Sequence, residues 1–209
     1  MGDIHAPVTI SITAMGELPQ SMGLTRAGAR PGDDIWVSGC VGGAWAALMH
    51  RWGKLTLDAR VFPSAALAMD RPNPRNALGT ALLSSATACA DISDGLAQDL
   101  GHILERSGVD ADVLWDAVPK HPALAALSQE QQVEAAMSGG DDYELVFTAP
   151  ADKRGLIEQA SISALTPVTR IGRIIEKKQS GAPLAIRDAS GRPLFLPVQG
   201  FDHFAQGAD

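Results

Sequence analysis

The segment Asp91-Ile92-Ser93-Asp94-Gly95 places two carboxylates and a hydroxyl directly before an amphipathic helical pattern. The first turn of a helix offers unpaired N–H groups and the positive end of the helix dipole, which favour bound phosphate. Carboxylates are the protein ligands that Mg²⁺ uses beside phosphate oxygens. The segment therefore fits a Mg²⁺–phosphate site, but it also fits a plain N-cap by Ser93 or Asp94, and both interpretations remain open.

A second acidic cluster lies about fifty residues further along the chain. Gly139 and Gly140 precede Asp141 and Asp142 at the start of an alternating strand. Glycine lets a ligand approach the backbone closely, and the two acids could bind a metal ion or a cationic ring. A simple turn before a strand explains the same residues, so this cluster also has two interpretations.

Other motifs give no catalytic signal. The glycine-rich turn 39–43 matches neither the phosphate-loop nor the dinucleotide-binding pattern, so we interpret it as a tight strand-to-helix connection. The five histidines show no metal-ligand spacing, and His102 is interpreted as a packed or surface residue beside the apolar stripe of its helix. Cys40 and Cys89 are too far apart in sequence to indicate a zinc site or a disulfide framework.

Composition is that of an ordinary folded protein. The chain has 209 residues, of which 45% are apolar and 20% charged, with a formal net charge of −7. This negative charge argues against a nucleic-acid partner, because it repels the phosphate backbone. No signal-peptide pattern and no apolar run of about 20 residues is visible, so we expect a cytoplasmic protein with no membrane partner.

Hydrophobic periodicity predicts an α+β fold in which a mixed sheet is covered by helices. The best-defined helix follows Gly95, with Leu96, Leu100, Ile103 and Leu104 forming an apolar stripe and Gln98, Asp99, Glu105 and Arg106 predicted to face outward. The other predicted helices cover 44–52, 76–85, 122–137 and 152–160, and the predicted strands cover 8–15, 35–38, 87–90, 143–148 and 168–175.

Several motifs, taken in order, resemble those of the thiamine-monophosphate kinase family, within the aminoimidazole-ribonucleotide-synthetase-like (AIR-synthase-like) superfamily. They are SITAMGE at 11–17, PGDDIWVSG at 31–39, DISDGL at 91–96 with DLGHI at 99–103, GGDDYEL at 139–145 and GFDHF at 200–204. The resemblance implies an AIR-synthase C-terminal-domain-like sandwich and transfer of the ATP γ-phosphoryl group to thiamine monophosphate. Several Mg²⁺ ions are implied as cofactors.

The resemblance also implies roles for individual residues. Asp91 and Asp94 would ligate Mg²⁺, with Asp94 as the catalytic residue, and Ser93 would contact ATP. Asp141, where the family usually has Glu, would contact the thiamine phosphate together with Phe201.

Family members carry roughly 130 further residues at the amino terminus, so the resemblance implies that 1–28 is the remnant of a preceding ATP-binding domain and 29–209 the second domain. Asp3 would then be a further metal ligand from a remnant metal loop. The full-length form is expected to be a homodimer, and this chain alone to have weak or no activity. The alternatives are another enzyme of the superfamily, such as a selenophosphate or purine-pathway synthetase, and a non-catalytic binding fragment.

Overall fold

A single mixed sheet forms the centre of the chain in a computed structural model that describes residues 11–15, 17 and 23–194. The six strands are β1 (Asp34–Ser38), β2 (Ala88–Ile92), β3 (Asp110–Leu114), β4 (Glu144–Ala149), β5 (Val168–Ile175) and β6 (Leu184–Arg187). Their spatial order is β2-β4-β1-β5-β3-β6, and only the β3–β6 pair is parallel. The predicted α+β class with a mixed sheet is confirmed.

Helices cover both faces of this sheet. They are α1 (Gly43–Arg51), α2 (Phe62–Asp70), α3 (Asn76–Leu82), α4 (Leu96–Ser107), α5 (Gln129–Val133) and α6 (Arg154–Ser163). Neighbouring strand residues point to opposite faces, so Ile35 and Val37 pack into the larger core with α4, whereas Trp36 packs with α3 and α6. In the described part of the chain, no helix has the length and apolarity needed to cross a bilayer.

Helix α4 follows the predicted apolar stripe, with Leu100, Ile103 and Leu104 buried. Gly108 ends it in the left-handed conformation, which costs glycine little. The prediction that Asp99 faces outward is wrong, because its side chain is only 1% exposed. Asp99 is buried because its carboxylate turns back toward the loop that precedes the helix.

The prediction of one continuous helix over 122–137 is wrong, because the structure has three short helical elements there. A 3₁₀ turn at Pro122–Leu124 comes first, then α5, then a π-helical turn at Glu134–Ser138. The helix restarts at Ser128, because the Ser128 and Gln131 side chains form a reciprocal capping box.

The strand predicted at 8–15 is not seen where the structure describes it. Residues 11–15 have no regular structure, and Ile12 is 88% exposed. Residues 8–10 lie outside the described residues.

Asp142 connects the second acidic cluster to the start of α1. Its Oδ2 atom accepts a hydrogen bond from the Gly42 N–H at 2.8 Å, and the Ala44 N–H also bonds to this carboxylate. Burial raises the pKa of Asp142 to about 7, although these two N–H groups oppose the shift. In the glycine-rich turn 39–43, the Gly42 N–H is therefore bound by a carboxylate of the chain itself.

The packing of the apolar stripe of α4 can be tested by comparing two isoleucines. Both lie on helices, and they differ mainly in how deeply their side chains are buried. Ile103 on α4 is fully buried, whereas Ile162 on α6 is 73% exposed. We expect Ile103→Ala to lower the free energy of unfolding by about 2–5 kcal/mol and Ile162→Ala to change it by less than about 0.5 kcal/mol. Urea denaturation of both variants measures this, and equal effects would contradict the packing described.

Asp142 gives a pH-dependent prediction. Its pKa is higher in the folded chain than in the unfolded chain, so its contribution to stability is complete at low pH and is lost as the pH rises toward 7. The Asp142→Asn side chain does not ionise, so the variant does not lose this stability as the pH rises. Its amide oxygen can still accept hydrogen bonds from the backbone N–H groups. Relative to wild type, the variant should therefore gain about 1–3 kcal/mol of stability between pH 5 and pH 8. Urea denaturation of both proteins at the two pH values measures this gain. The prediction would be contradicted if the difference in free energy of unfolding between variant and wild type were the same at pH 5 and pH 8.

Candidate active site

The loop between β2 and α4 carries the first acidic cluster at an edge of the sheet. Asp91 is exposed on β2, and Ser93 and Asp94 are half-buried in the loop. Gly95 follows with φ 116° and ψ 146°, a conformation that essentially only glycine adopts. No side chain caps the amino terminus of α4, so its first N–H groups face the same loop as the acids.

Asp99 fixes the conformation of this loop. Its Oδ2 atom accepts hydrogen bonds from the backbone N–H groups of Ser93 at 2.9 Å and Asp94 at 3.0 Å. Burial raises the pKa of Asp99, and the charges of Asp94 and Asp91 add to the shift, while the two N–H bonds oppose it. The helix thus positions the loop that carries Ser93 and the predicted metal ligand Asp94.

The second acidic cluster lies directly against the first. The hydrogen bonds between β2 and β4 continue beyond the strands, with Tyr143 N–H donating to Ile92 O at 2.8 Å and Asp141 N–H donating to Ser93 O at 2.9 Å. A Cβ atom on Gly140 would lie 2.3 Å from Ser93 O, so only glycine fits there. The two clusters therefore form one continuous surface.

The backbone of the second cluster is strained on its exposed side. Asp141 and Tyr143 have φ values of 66° and 50°, in the left-handed region that L-residues rarely adopt. The Tyr143 hydroxyl donates a hydrogen bond to Asp141 Oδ1 at 3.0 Å. Such conformations concentrate at functional sites, because the surrounding structure must hold them in place.

A buried ion pair supports the strand that carries this cluster. Arg75 Nε donates to Glu144 Oε2 at 2.7 Å, and the second Glu144 oxygen accepts from Arg75 Nη2. The Ser38 hydroxyl also donates to Glu144. Beside this pair, Arg75, Asp91 and Tyr143 line an open cleft of about 1200 Å³ between α3 and the sheet edge. The cleft is large enough for a small phosphorylated ligand.

The free carboxylates of this surface are suited to a cation. Within the described residues, no lysine or arginine forms a salt bridge with Asp91, Asp94 or Asp141. Unpaired carboxylates next to helix N–H groups can bind a divalent cation and an anionic ligand together. The donor set therefore fits Mg²⁺ with phosphate.

The structure brings together four of the residues that the sequence singles out. Asp91 lies near the end of β2, Ser93 and Asp94 lie in the loop that follows, and the Asp141 N–H donates to the Ser93 carbonyl of that loop. Asp3 and Phe201 lie outside the described residues.

Sequence reasoning missed Asp99 and His102 as part of this site. Together with Asp94, they place one carboxylate oxygen or ring nitrogen each within 4.8 Å of one another. The signal that could have found them is the i, i+3 spacing of Asp99 and His102 in the first turns of α4, which puts both on one helix face next to the acidic loop.

Comparisons with known proteins agree with the motifs. The family model described as AIR synthase related protein, C-terminal domain, matches residues 30–184. Thiamine-monophosphate kinase from Haemophilus influenzae is 39% identical over 203 residues, covering 95% of this chain and 61% of that protein. The chain thus spans about three fifths of the length of the relatives it matches.

Solved structures show the same similarity. Thiamine-monophosphate kinase from Stenotrophomonas maltophilia K279a superposes with a TM-score of 0.75 at 39% identity, covering 85% of this chain and 56% of that one. A structure of AaThiL complexed with AMPPCP and TMP has a TM-score of 0.68 at 27% identity, covering 87% of this chain and 54% of that one. The family match covers most of the chain, and the sheet and the site agree with it: the chain belongs to the AIR synthase related proteins and contains their C-terminal domain.

Proposed function

We propose that this chain is the carboxyl-terminal part of a kinase that transfers the γ-phosphoryl group of ATP to thiamine monophosphate, giving thiamine diphosphate. The observation that carries the proposal is the direct contact between the two acidic clusters, which lie about fifty residues apart in sequence and both match the motifs of that family. The 39% identity to two thiamine-monophosphate kinases supports the choice of acceptor, and the AaThiL complex with AMPPCP, an ATP analogue, supports ATP as the donor.

The first loop would hold the metal and the nucleotide. We assign Asp91 and Asp94 as Mg²⁺ ligands, Asp94 as the catalytic residue and Ser93 as a contact to ATP. Bound Mg²⁺ would neutralise charge on the phosphates and on the transferring group. The uncapped amino terminus of α4 adds N–H donors on the same side, so the chain itself offers both carboxylates and anion-binding groups.

The second loop would position the acceptor. We assign Asp141 as a contact to thiamine phosphate, and Phe201 as its aromatic partner from the carboxyl-terminal segment. The acceptor is a phosphate monoester with a second pKa of about 6, so it is already largely dianionic at neutral pH and needs no strong general base. The task of the site is to hold two polyanions in line, which is positioning and charge neutralisation rather than proton abstraction.

The Asp141 carboxylate is one methylene shorter than the glutamate usual in the family. Its backbone lies in the left-handed region, which aspartate tolerates better than most residues. The Tyr143 hydroxyl fixes one of its oxygens, so the shorter side chain is held toward the exposed face of the loop.

The organisation of the complete protein is part of the proposal. Residues 1–28 would belong with a preceding ATP-binding domain and residues 29–209 would form the second domain. That first domain would supply further Mg²⁺ ligands, with Asp3 as one of them, and the contact surface of a homodimer. We propose a cytoplasmic enzyme.

A chimaera tests the activity directly. The portion of the Haemophilus influenzae relative that this chain does not match is joined to residues 1–209, and formation of thiamine diphosphate from Mg²⁺, ATP and thiamine monophosphate is measured. We expect turnover by the chimaera and little or none by the 209-residue chain alone. Asp94→Asn in the chimaera should lower kcat/KM about 100-fold or more, because the variant removes a charge that acts on the transferring group.

Asp152→Asn is the matched control. Asp152 is exposed beyond Ala149, where β4 ends, whereas the site lies at the Glu144 end of that strand, so this variant should leave kcat/KM unchanged. If the chimaera turned over ATP only with a different acceptor, the proposal would be wrong, and the chain would belong to another enzyme of the superfamily. A folded chimaera that binds neither substrate would indicate a non-catalytic fragment.

A further inference from the structure

Three side chains at the start of α4 form a cluster that the phosphotransfer proposal does not use as a unit. Asp94 in the loop and Asp99 and His102 on the helix each bring one ligand atom to within 4.8 Å of the others. Asp99 and His102 are three residues apart, so they occupy the same face of the helix in successive turns. The arrangement joins a loop carboxylate to a helix carboxylate and an imidazole.

One carboxylate oxygen in this cluster is buried without a partner. Asp99 is 1% exposed, and while its Oδ2 atom accepts the two loop N–H groups, its Oδ1 atom has no hydrogen-bond partner in the described residues. A buried acceptor left unpaired loses its hydrogen bonds to water without replacement, and this loss is costlier when the group is charged. No lysine or arginine in the described part of the chain forms a salt bridge with Asp94 or Asp99, so no side-chain cation offsets the two charges.

The size of the cluster matches a single metal ion. Nitrogen and oxygen ligands bind first-row dications at about 2.0–2.2 Å, so two ligands on opposite sides of one ion lie about 4.2 Å apart. A cluster within 4.8 Å reaches this spacing through small rotations of the Asp94 and His102 side chains, which are half-buried, while Asp99 stays in place. The imidazole decides the class of ion, because Mg²⁺ prefers oxygen ligands whereas zinc and its neighbours accept nitrogen readily.

We infer that Asp94, Asp99 and His102 form a binding site for a first-row transition-metal dication. This site shares Asp94 with the all-oxygen Mg²⁺ site proposed at Asp91 and Asp94, but its other two ligands, Asp99 and His102, are different. All three ligands come from this chain, so the ion binds without nucleotide and whether or not the chain transfers phosphate. The ion would contact Asp99 Oδ1 while Oδ2 continues to hold the loop. Its occupancy would therefore fix the position of Asp94.

Co²⁺ titration of the 209-residue chain tests the site. The metal-free chain is titrated at about pH 7.5, where imidazole is mainly neutral, with excess Mg²⁺ and no nucleotide, and visible absorption of bound Co²⁺ is recorded. We expect saturation at one equivalent. His102→Gln and Asp99→Asn should each raise the Kd for Co²⁺ at least tenfold, because each removes a ligand. Circular dichroism checks that the variants fold, and His102 is half-buried, so its variant should fold normally.

A matched control separates this site from the rest of the helix. Glu105→Gln removes an exposed carboxylate from the same helix without changing any of the three ligands. This variant should bind Co²⁺ with the wild-type Kd. Absence of saturable Co²⁺ binding would overturn the inference, as would wild-type affinity in the folded His102→Gln variant. Strong near-ultraviolet absorption from a thiolate ligand would place the ion at a cysteine and would overturn it as well.

Discussion

The pairing of β2 with β4 is the constraint on which the site depends. The two strands are neighbours in the sheet although more than fifty residues separate them, and their hydrogen bonds run on past Ile92 into the two loops. Gly140 lets the second loop approach the Ser93 carbonyl at a distance that no side chain allows. Because the contact is made by backbone atoms, the two acidic clusters keep their relative position whatever ligand they bind.

Buried carboxylates hold the rest of the site in place. Asp99 accepts from the loop before α4, Asp142 accepts from the start of α1, and Glu144 pairs with Arg75. Each ties one segment of the chain to another through hydrogen bonds that are partly or fully buried, where such bonds are stronger than in water. Asp91 and Asp141 are exposed, and they are the carboxylates that we propose to contact ligands.

The sequence predicted the elements around the site better than their contacts. The α4 stripe is a local pattern and was confirmed, and a strand is present where one was predicted at β4. The alternation predicted for β4 is not seen in its burial, because both faces of this strand are covered. Each acidic cluster was recognised as a loop beside a helix or strand. Their mutual contact was not predictable from local patterns, because it arises from pairing between strands that are distant in the chain.

Asp99 shows why the remaining part of the site was missed. Helical periodicity separates apolar from polar positions, so a polar residue buried to satisfy backbone N–H groups looks like a surface residue. The break in the helix predicted at 122–137 has a similar origin, since the capping box at Ser128 starts a new helix within a stretch of helical composition. The spacing between histidines did not identify His102 as a possible metal ligand. One of the residues near it, Asp94, lies in the loop before the helix, so neither histidine spacing nor helical periodicity brings the two together.

The central claim is that the two acidic loops form one ligand site. Nuclear magnetic resonance of the ¹⁵N-labelled 209-residue chain, titrated with thiamine monophosphate in the presence of Mg²⁺, tests it most directly. If the claim is correct, the amide signals of residues 93–95 and of residues 139–142 shift together and give the same Kd. Shifts confined to one loop, or two different Kd values for the two loops, would contradict it.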